Sequence, residues 1–153
     1  FFKLTPPLRS EDDRKAVVAA VASGLIDVVA SFHTPLDEES KRLPFEEAAP
    51  GAVGLQTLLP AAMRLYHSGD LSLPRLWRAM SLNPARRLGL PGGRLAPGAP
   101  GDLVLFDPDA PFVLDRFGLL SKSKNTPFDG DRMEGRVLGT WVAGRRVHAL
   151  EFA

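Results

Sequence analysis

The chain has 153 residues, 44% of them hydrophobic and 24% charged, with 19 basic and 18 acidic side chains that leave a net charge of +1. That composition supports a folded domain with its own core and argues against disorder. Balanced charge without a basic stripe excludes a polyanion-binding surface, so nucleic acid is not expected as a partner. With no Cys, disulfides, thiolate nucleophiles and Cys-ligated zinc are excluded as well.

The chain begins Phe1-Phe2 rather than with Met, which suggests a start inside a longer protein. Ser10 followed by Glu11-Asp12-Asp13 reads as a helix N-cap with acids in the first turn, where they face the positive end of the helix dipole. The helix is expected to turn Val17, Val18, Val21 and Leu25 inward and to stop at Gly24. The apolar run Ala16–Ile26 is interrupted by Ser23 and Gly24, and a membrane span needs ~18 or more apolar residues. No signal peptide and no membrane are therefore expected, and a cytoplasmic location fits.

Ile26-Asp27-Val28-Val29-Ala30 is β-branched and short, as in a buried parallel strand. Residues 31–54 form a long connection rich in Pro and Gly, and such loops are usually functional. A helix is expected near Leu55–His67, with Leu55, Leu58, Leu59, Ala62, Leu65 and Tyr66 on its apolar face. Ser72 should cap another helix bearing Leu73, Leu76, Trp77 and Met80, with Asn83-Pro84 opening a last turn before Gly89.

From about Gly92 the texture changes to turns and strands. Asp102–Asp107 reads as a short strand, Ser121–Pro127 as a solvated loop, and 136–142 with 145–150 as a hairpin about Ala143-Gly144. No internal repeat is visible. Strand–helix alternation followed by strands points to an α/β chain with residues 1–90 and 91–153 as separate regions.

Three histidines are present, His33, His67 and His148, with no His-x-His and no i, i+4 pair, whereas a catalytic zinc takes about three protein ligands. Each is read as structural or superficial. Glu46-Glu47 are sequence neighbours in a polar loop, and Asp102 and Asp107 are read as turn caps. Arg9 reads equally as a bidentate clamp for a carboxylate or as a loop anchor.

Several motifs in order resemble a known family. PPLRSEDDR (6–14), IDVVASFHTP (26–35) with Lys41, PFEEAAPGAVGLQTLLP (44–60), NPARRLGLPGGRLAPGAPGDLVLFD (83–107) and SKNTPF (123–128) together look like the C-terminal part of a long-chain bacterial dihydroorotase of the amidohydrolase superfamily. The resemblance implies the C-terminal units of a metal-dependent (β/α)8 TIM-type barrel over 1–90 and part of a flanking β-sandwich over 91–153. It implies carbamoyl aspartate/dihydroorotate interconversion in de novo pyrimidine biosynthesis, zinc held by ligands mostly on earlier strands, and a small cyclic amide as substrate. In barrels of this type the sites lie at the C-terminal ends of the strands.

Carried over residue by residue, the family's Ala-Thr-Asp-His-Ala-Pro-His stands here as Ala30-Ser31-Phe32-His33-Thr34-Pro35-Leu36. The expected catalytic Asp is thus Phe32, and the substrate-gripping His is Leu36. The Asn of Asn-Pro-Pro-Leu-Arg is Thr5. Pro50 and Gly51 fall in the loop whose backbone holds substrate in the family. No catalytic side chain and no metal ligand is carried over, which predicts impaired hydrolysis. An eroded chain of this kind also resembles non-catalytic dihydroorotase-like subunits that scaffold aspartate carbamoyltransferase. Further expected partners are a second copy of the chain or a preceding N-terminal segment.

Overall fold

The computed structural model describes residues 1–150, so the last three positions of the expected 91–153 region lie outside the described residues. Five α-helices precede a three-stranded antiparallel sheet of order β1-β2-β3. Helix α1 (Glu11–Ser23) starts as the sequence predicts, with Ser10 and Asp13 exchanging side-chain and backbone hydrogen bonds in a capping box and Gly24 closing it at φ +92°. Its last turn carries no basic residue of its own. Arg75 fills that role from a distance, its Nε donating to the Val21 carbonyl at 2.6 Å.

The inward face of α1 is narrower than expected. Val21 is buried and Val18 half-buried, while Val17 and Leu25 are exposed. Residues 26–30 do not form the expected strand, because no second segment pairs with them in a ladder among the described residues. Their polar groups are met singly instead: Val29 N–H donates to the Ala79 carbonyl at 3.0 Å, and Asn83 Nδ2 donates to the Asp27 carbonyl at 2.8 Å.

The long connection contains one short helix, α2 (Glu38–Arg42), capped by Asp37, whose carboxylate accepts from Ser40 N–H at 2.7 Å. Helix α3 (Leu58–His67) begins three residues later than expected, leaving Leu55 exposed in the preceding turn. Met63, outside the expected apolar face, is its most buried side chain. Helix α4 (Leu73–Trp77) passes through a π-helical segment, Arg78–Leu82, into α5 (Asn83–Arg87). The expected separate turn at Asn83-Pro84 is therefore a continuation. Pro84 offers no N–H and would press on the carbonyl four residues back in a regular helix; the wider π turn, in which Asn83 N–H donates to the Arg78 carbonyl, makes room for it.

Strand β1 (Leu103–Val113) runs beyond the expected end at Asp107, with an irregularity between Asp107 and Pro111 that takes up Pro108. It pairs with β2 (Arg132–Val142), which turns through Ala143 (φ +49°) and Gly144 (φ +77°) into β3 (Arg145–Ala149). Two successive positive φ angles define the tight hairpin read from the sequence. Asp102 caps that turn by accepting from Ala143 N–H at 2.8 Å.

Two apolar cores form, and α3 serves both. Val21, Ala62, Leu71, Leu76 and Ala79 pack on one side; Val53, Leu114, Leu119 and Met133 pack on the other, joined by Ala61 of α3. Met63 meets the sheet where Gly135 lies, so close that a Cβ on Gly135 would stand 2.8 Å from Met63 Cγ. Among the described residues no helix is long and apolar enough to cross a membrane.

Gly135→Ala should destabilise more than Gly130→Ala. Both positions have positive φ, but only Gly135 has a neighbour in the way. The shared left-handed cost is about 1–2 kcal/mol, and the clash with Met63 should add about 1–3 kcal/mol. Denaturant unfolding of both variants checks this; equal losses would refute the close helix–sheet approach.

Candidate active site

The site is built where two segments lie side by side, residues 31–36 and residues 51–54. His33 and Ala52 form a parallel bridge, and Thr34 N–H donates to the Ala52 carbonyl at 2.8 Å. Contact is tight enough to require glycine twice. A Cβ on Gly51, at φ +137°, would stand 2.6 Å from Thr34 Cγ2, and one on Gly54 would stand 2.6 Å from the Ser31 carbonyl oxygen.

Two buried polar side chains hold these segments. Asn125 Nδ2 donates to the carbonyls of Thr34 (3.0 Å) and Gly51 (3.3 Å), and its Oδ1 accepts from Leu36 N–H (3.1 Å). Lys41 Nζ donates to the carbonyls of Lys3 (2.9 Å) and Ala49 (2.8 Å), while Gly51 N–H donates to the same Lys3 carbonyl at 2.9 Å. The N-terminal segment is thereby docked against the loop, with Thr5 beside it.

Thr5, Phe32 and Gly51 meet around one cleft of about 240 Å³, with Leu58 and Phe128 on its walls. Leu36 sits against Gly51, its Cδ1 3.4 Å from where a Cβ would be, and Pro50 is exposed next to it. Of the positions singled out in the sequence, three share the cleft and two adjoin it. Arg9 stays apart, 72% exposed and 3.6 Å from Asp13. Glu46 and Glu47 are exposed. A larger hollow of about 400 Å³ is lined by His33, Val53, Leu119 and Leu120.

Phe32 is 71% exposed and adopts φ +45°. That left-handed conformation is an outlier for a bulky side chain but one that Asp and Asn adopt readily. Thr34 Oγ1 braces it by donating to the Phe32 carbonyl at 2.9 Å. The backbone there has a shape that Asp or Asn adopts at less cost than Phe, and the side chain brings neither charge nor proton. No charged side chain lines the cleft.

The described residues do not fit a zinc ion. No group of three or more His, Cys, Asp or Glu among them is placed to hold a metal. His33 Nδ1 accepts from Gly54 N–H at 2.9 Å, which fixes the ring by hydrogen bonding. His67 Nε2 lies 3.0 Å from the Pro108 carbonyl and 3.2 Å from Glu134, linking α3 to the sheet. His148 is exposed on β3.

Sequence reasoning missed Asn125 and Thr126. The segment 121–127 was expected to be a solvated loop, yet both residues are 1% exposed. The signal was present in the SKNTPF motif, where Pro127 and Phe128 end the polar run and line the cleft.

Against known proteins, the amidohydrolase family model matches residues 5–147. A dihydroorotase of Wolbachia sp. subsp. Drosophila simulans is 41% identical over 147 residues, covering 96% of this chain and 33% of that protein. A dihydroorotase of Desulforapulum autotrophicum is 44% identical over 149 residues, covering 97% and 35%. The solved L-hydantoinase (dihydropyrimidinase) from Arthrobacter aurescens superposes with a TM-score of 0.90 at 32% identity, over 97% of this chain and 35% of that one. The chain belongs to the amidohydrolase family, and it spans about a third of the length of the curated relatives it matches.

Phe32→Asn should stabilise the protein by about 1 kcal/mol by relieving the left-handed Phe, read as a raised denaturation midpoint. No gain would mean that position 32 is not constrained as described. A second expectation concerns Lys41, whose ammonium is held below the ordinary lysine value of 10.5 by burial and then by the charge of Lys3. The fold binds that proton less tightly than the unfolded chain does. Relative to a Lys41→Met variant, stability should therefore rise as pH climbs through the depressed value toward 10.5 and level off above it. The variant itself should lose about 1–3 kcal/mol for the Ala49 carbonyl left unpaired. A parallel pH dependence in both proteins would contradict a buried Lys41.

Proposed function

We propose that this chain is the last-strand portion of a dihydroorotase-type cyclic amidohydrolase of de novo pyrimidine biosynthesis, a cytoplasmic enzyme that interconverts carbamoyl aspartate and dihydroorotate. The observation that carries the reading is the cleft shared by Thr5, Phe32 and Gly51, in a chain about 40% identical to proteins named dihydroorotase along nearly its whole length. In this reading residues 1–90 are the final units of a (β/α)8 barrel, and residues 91–153 belong to a flanking β-sandwich. Zinc comes with the family and is held by residues other than those described. Exposed Leu25, Leu55 and Leu120 call for cover, by a second copy or by other parts of a longer chain.

Within this reading Gly51 and Thr5 face the substrate, with Leu36 and Pro50 beside them. No acid stands at position 32 to move the proton of the ring amide, so hydrolysis is impaired. A positioned acid–base group is worth ~10²–10⁴-fold in rate, and Phe32→Asp should restore part of that factor. The test is dihydroorotate hydrolysis and zinc content of the full-length protein and of Phe32→Asp. Expected is at least a ~100-fold gain in turnover for the variant. Equal turnover by the unmodified protein would refute the impairment.

Phe32 also favours a second reading, a non-catalytic dihydroorotase-like subunit that scaffolds aspartate carbamoyltransferase. A variant that stays inactive while the unmodified protein forms a stoichiometric complex with that enzyme would select it.

A further inference from the structure

We infer that Asn125 is the positioning residue of the cleft, the group that aims position 32 by locking segment 31–36 onto segment 51–54. The inference deepens the proposed function and rests on it for the identity of the site. Asn125 is 1% exposed, and its side-chain amide is committed to backbone groups on both segments. Its Nδ2 reaches Thr34 and Gly51, its Oδ1 receives Leu36 N–H, and its own carbonyl receives Val53 N–H at 3.0 Å. Among the described residues it is the one side chain outside the two segments that hydrogen-bonds to both.

One amide orientation alone satisfies all three side-chain bonds, because the two carbonyls need a donor and the Leu36 N–H needs an acceptor. An Asp here would face the two carbonyl oxygens with an acceptor in place of the donor they need. An Ala would leave three backbone groups unpaired, the Gly51 carbonyl buried and the Thr34 carbonyl and Leu36 N–H half-buried. Phe32 lies only two residues before Thr34, and Thr34 in turn braces the Phe32 carbonyl. Release of the Thr34 and Leu36 bonds therefore frees the direction of side chain 32 while both apolar cores remain intact. Asn125 does not itself face the cleft, so its effect on ligand or reaction passes through positions 32 and 51.

The test uses the full-length protein with 4-fluorophenylalanine incorporated at position 32 and followed by fluorine NMR. Asn125→Ala should shift or broaden the fluorine signal in the folded protein. Val21→Ala, a cavity in the other core, should lower stability comparably and leave the signal in place. Asn125→Asp, the same shape without the donors, serves as the second variant if Asn125→Ala does not fold. A signal that ignores both Asn125 variants, or that Val21→Ala moves equally, would overturn the inference.

A second arm places Asn125→Ala in the Phe32→Asp background, where kcat for dihydroorotate should fall at least tenfold with KM changed less than threefold. An unchanged kcat would overturn positioning. Absence of any activity in the Phe32→Asp parent would instead sink the functional reading, with the fluorine result deciding the role of Asn125.

Discussion

The structure around the cleft depends on two backbone segments pressed together with no room for a side chain between them. Gly51 and Gly54 lie where Thr34 and Ser31 would collide with any Cβ, so contact is made by bare main chain. Main chain brought that close must also satisfy its polar groups. A single ladder contact at His33 and Ala52 cannot do so alone. The deficit is met by the half-buried His33 ring and the buried Asn125 amide, while the buried Lys41 ammonium pins the adjoining Lys3 and Ala49 carbonyls. Such a frame is built from groups that cannot be exchanged cheaply, because an unpaired polar group in this setting costs far more than the bond it had made.

Frame and chemistry are separable here. The residues that hold the cleft (Gly51, Gly54, His33, Lys41 and Asn125) are joined by hydrogen bonds to backbone. The positions open to the cleft, Thr5 and Phe32, make little of that network. The side chain at position 32 can therefore vary without undoing the fold around it, since Phe32 points largely to solvent. The left-handed backbone at that position is a cost the ring bears and an Asp would bear less.

Helix α3 connects this frame to the rest of the molecule. Ala62 packs into the core of α1 and α4, and Ala61 into the core under the sheet, while Met63 seats on Gly135. The cleft wall at Leu58 and Ala61 belongs to the same helix. His67 and Arg64 then tie its far end to β2 and to the turn before it, through Glu134 and Asp131. The sheet, although remote in sequence, is thus mechanically continuous with the site.

Local signals were legible wherever a residue acts on its own neighbours. The Ser10 capping box, the Gly24 stop, the Ala143-Gly144 hairpin and the Asp102 cap all follow from short-range sterics and hydrogen bonding. Thr5, Phe32 and Gly51, singled out from the family motifs, line one cleft. What remained hidden depends on partners distant in the chain. The run 26–30 has strand-like side chains, but a strand exists only when another segment pairs with it. Asn125 sits in a polar stretch that reads as solvated, and its burial comes from carbonyls about 75 to 90 residues away in sequence. By itself the sequence determined the Ser10 helix start, the Gly24 stop and the Ala143-Gly144 turn; tertiary structure alone decided which polar groups are buried, because burial is a property of what else arrives at the same place.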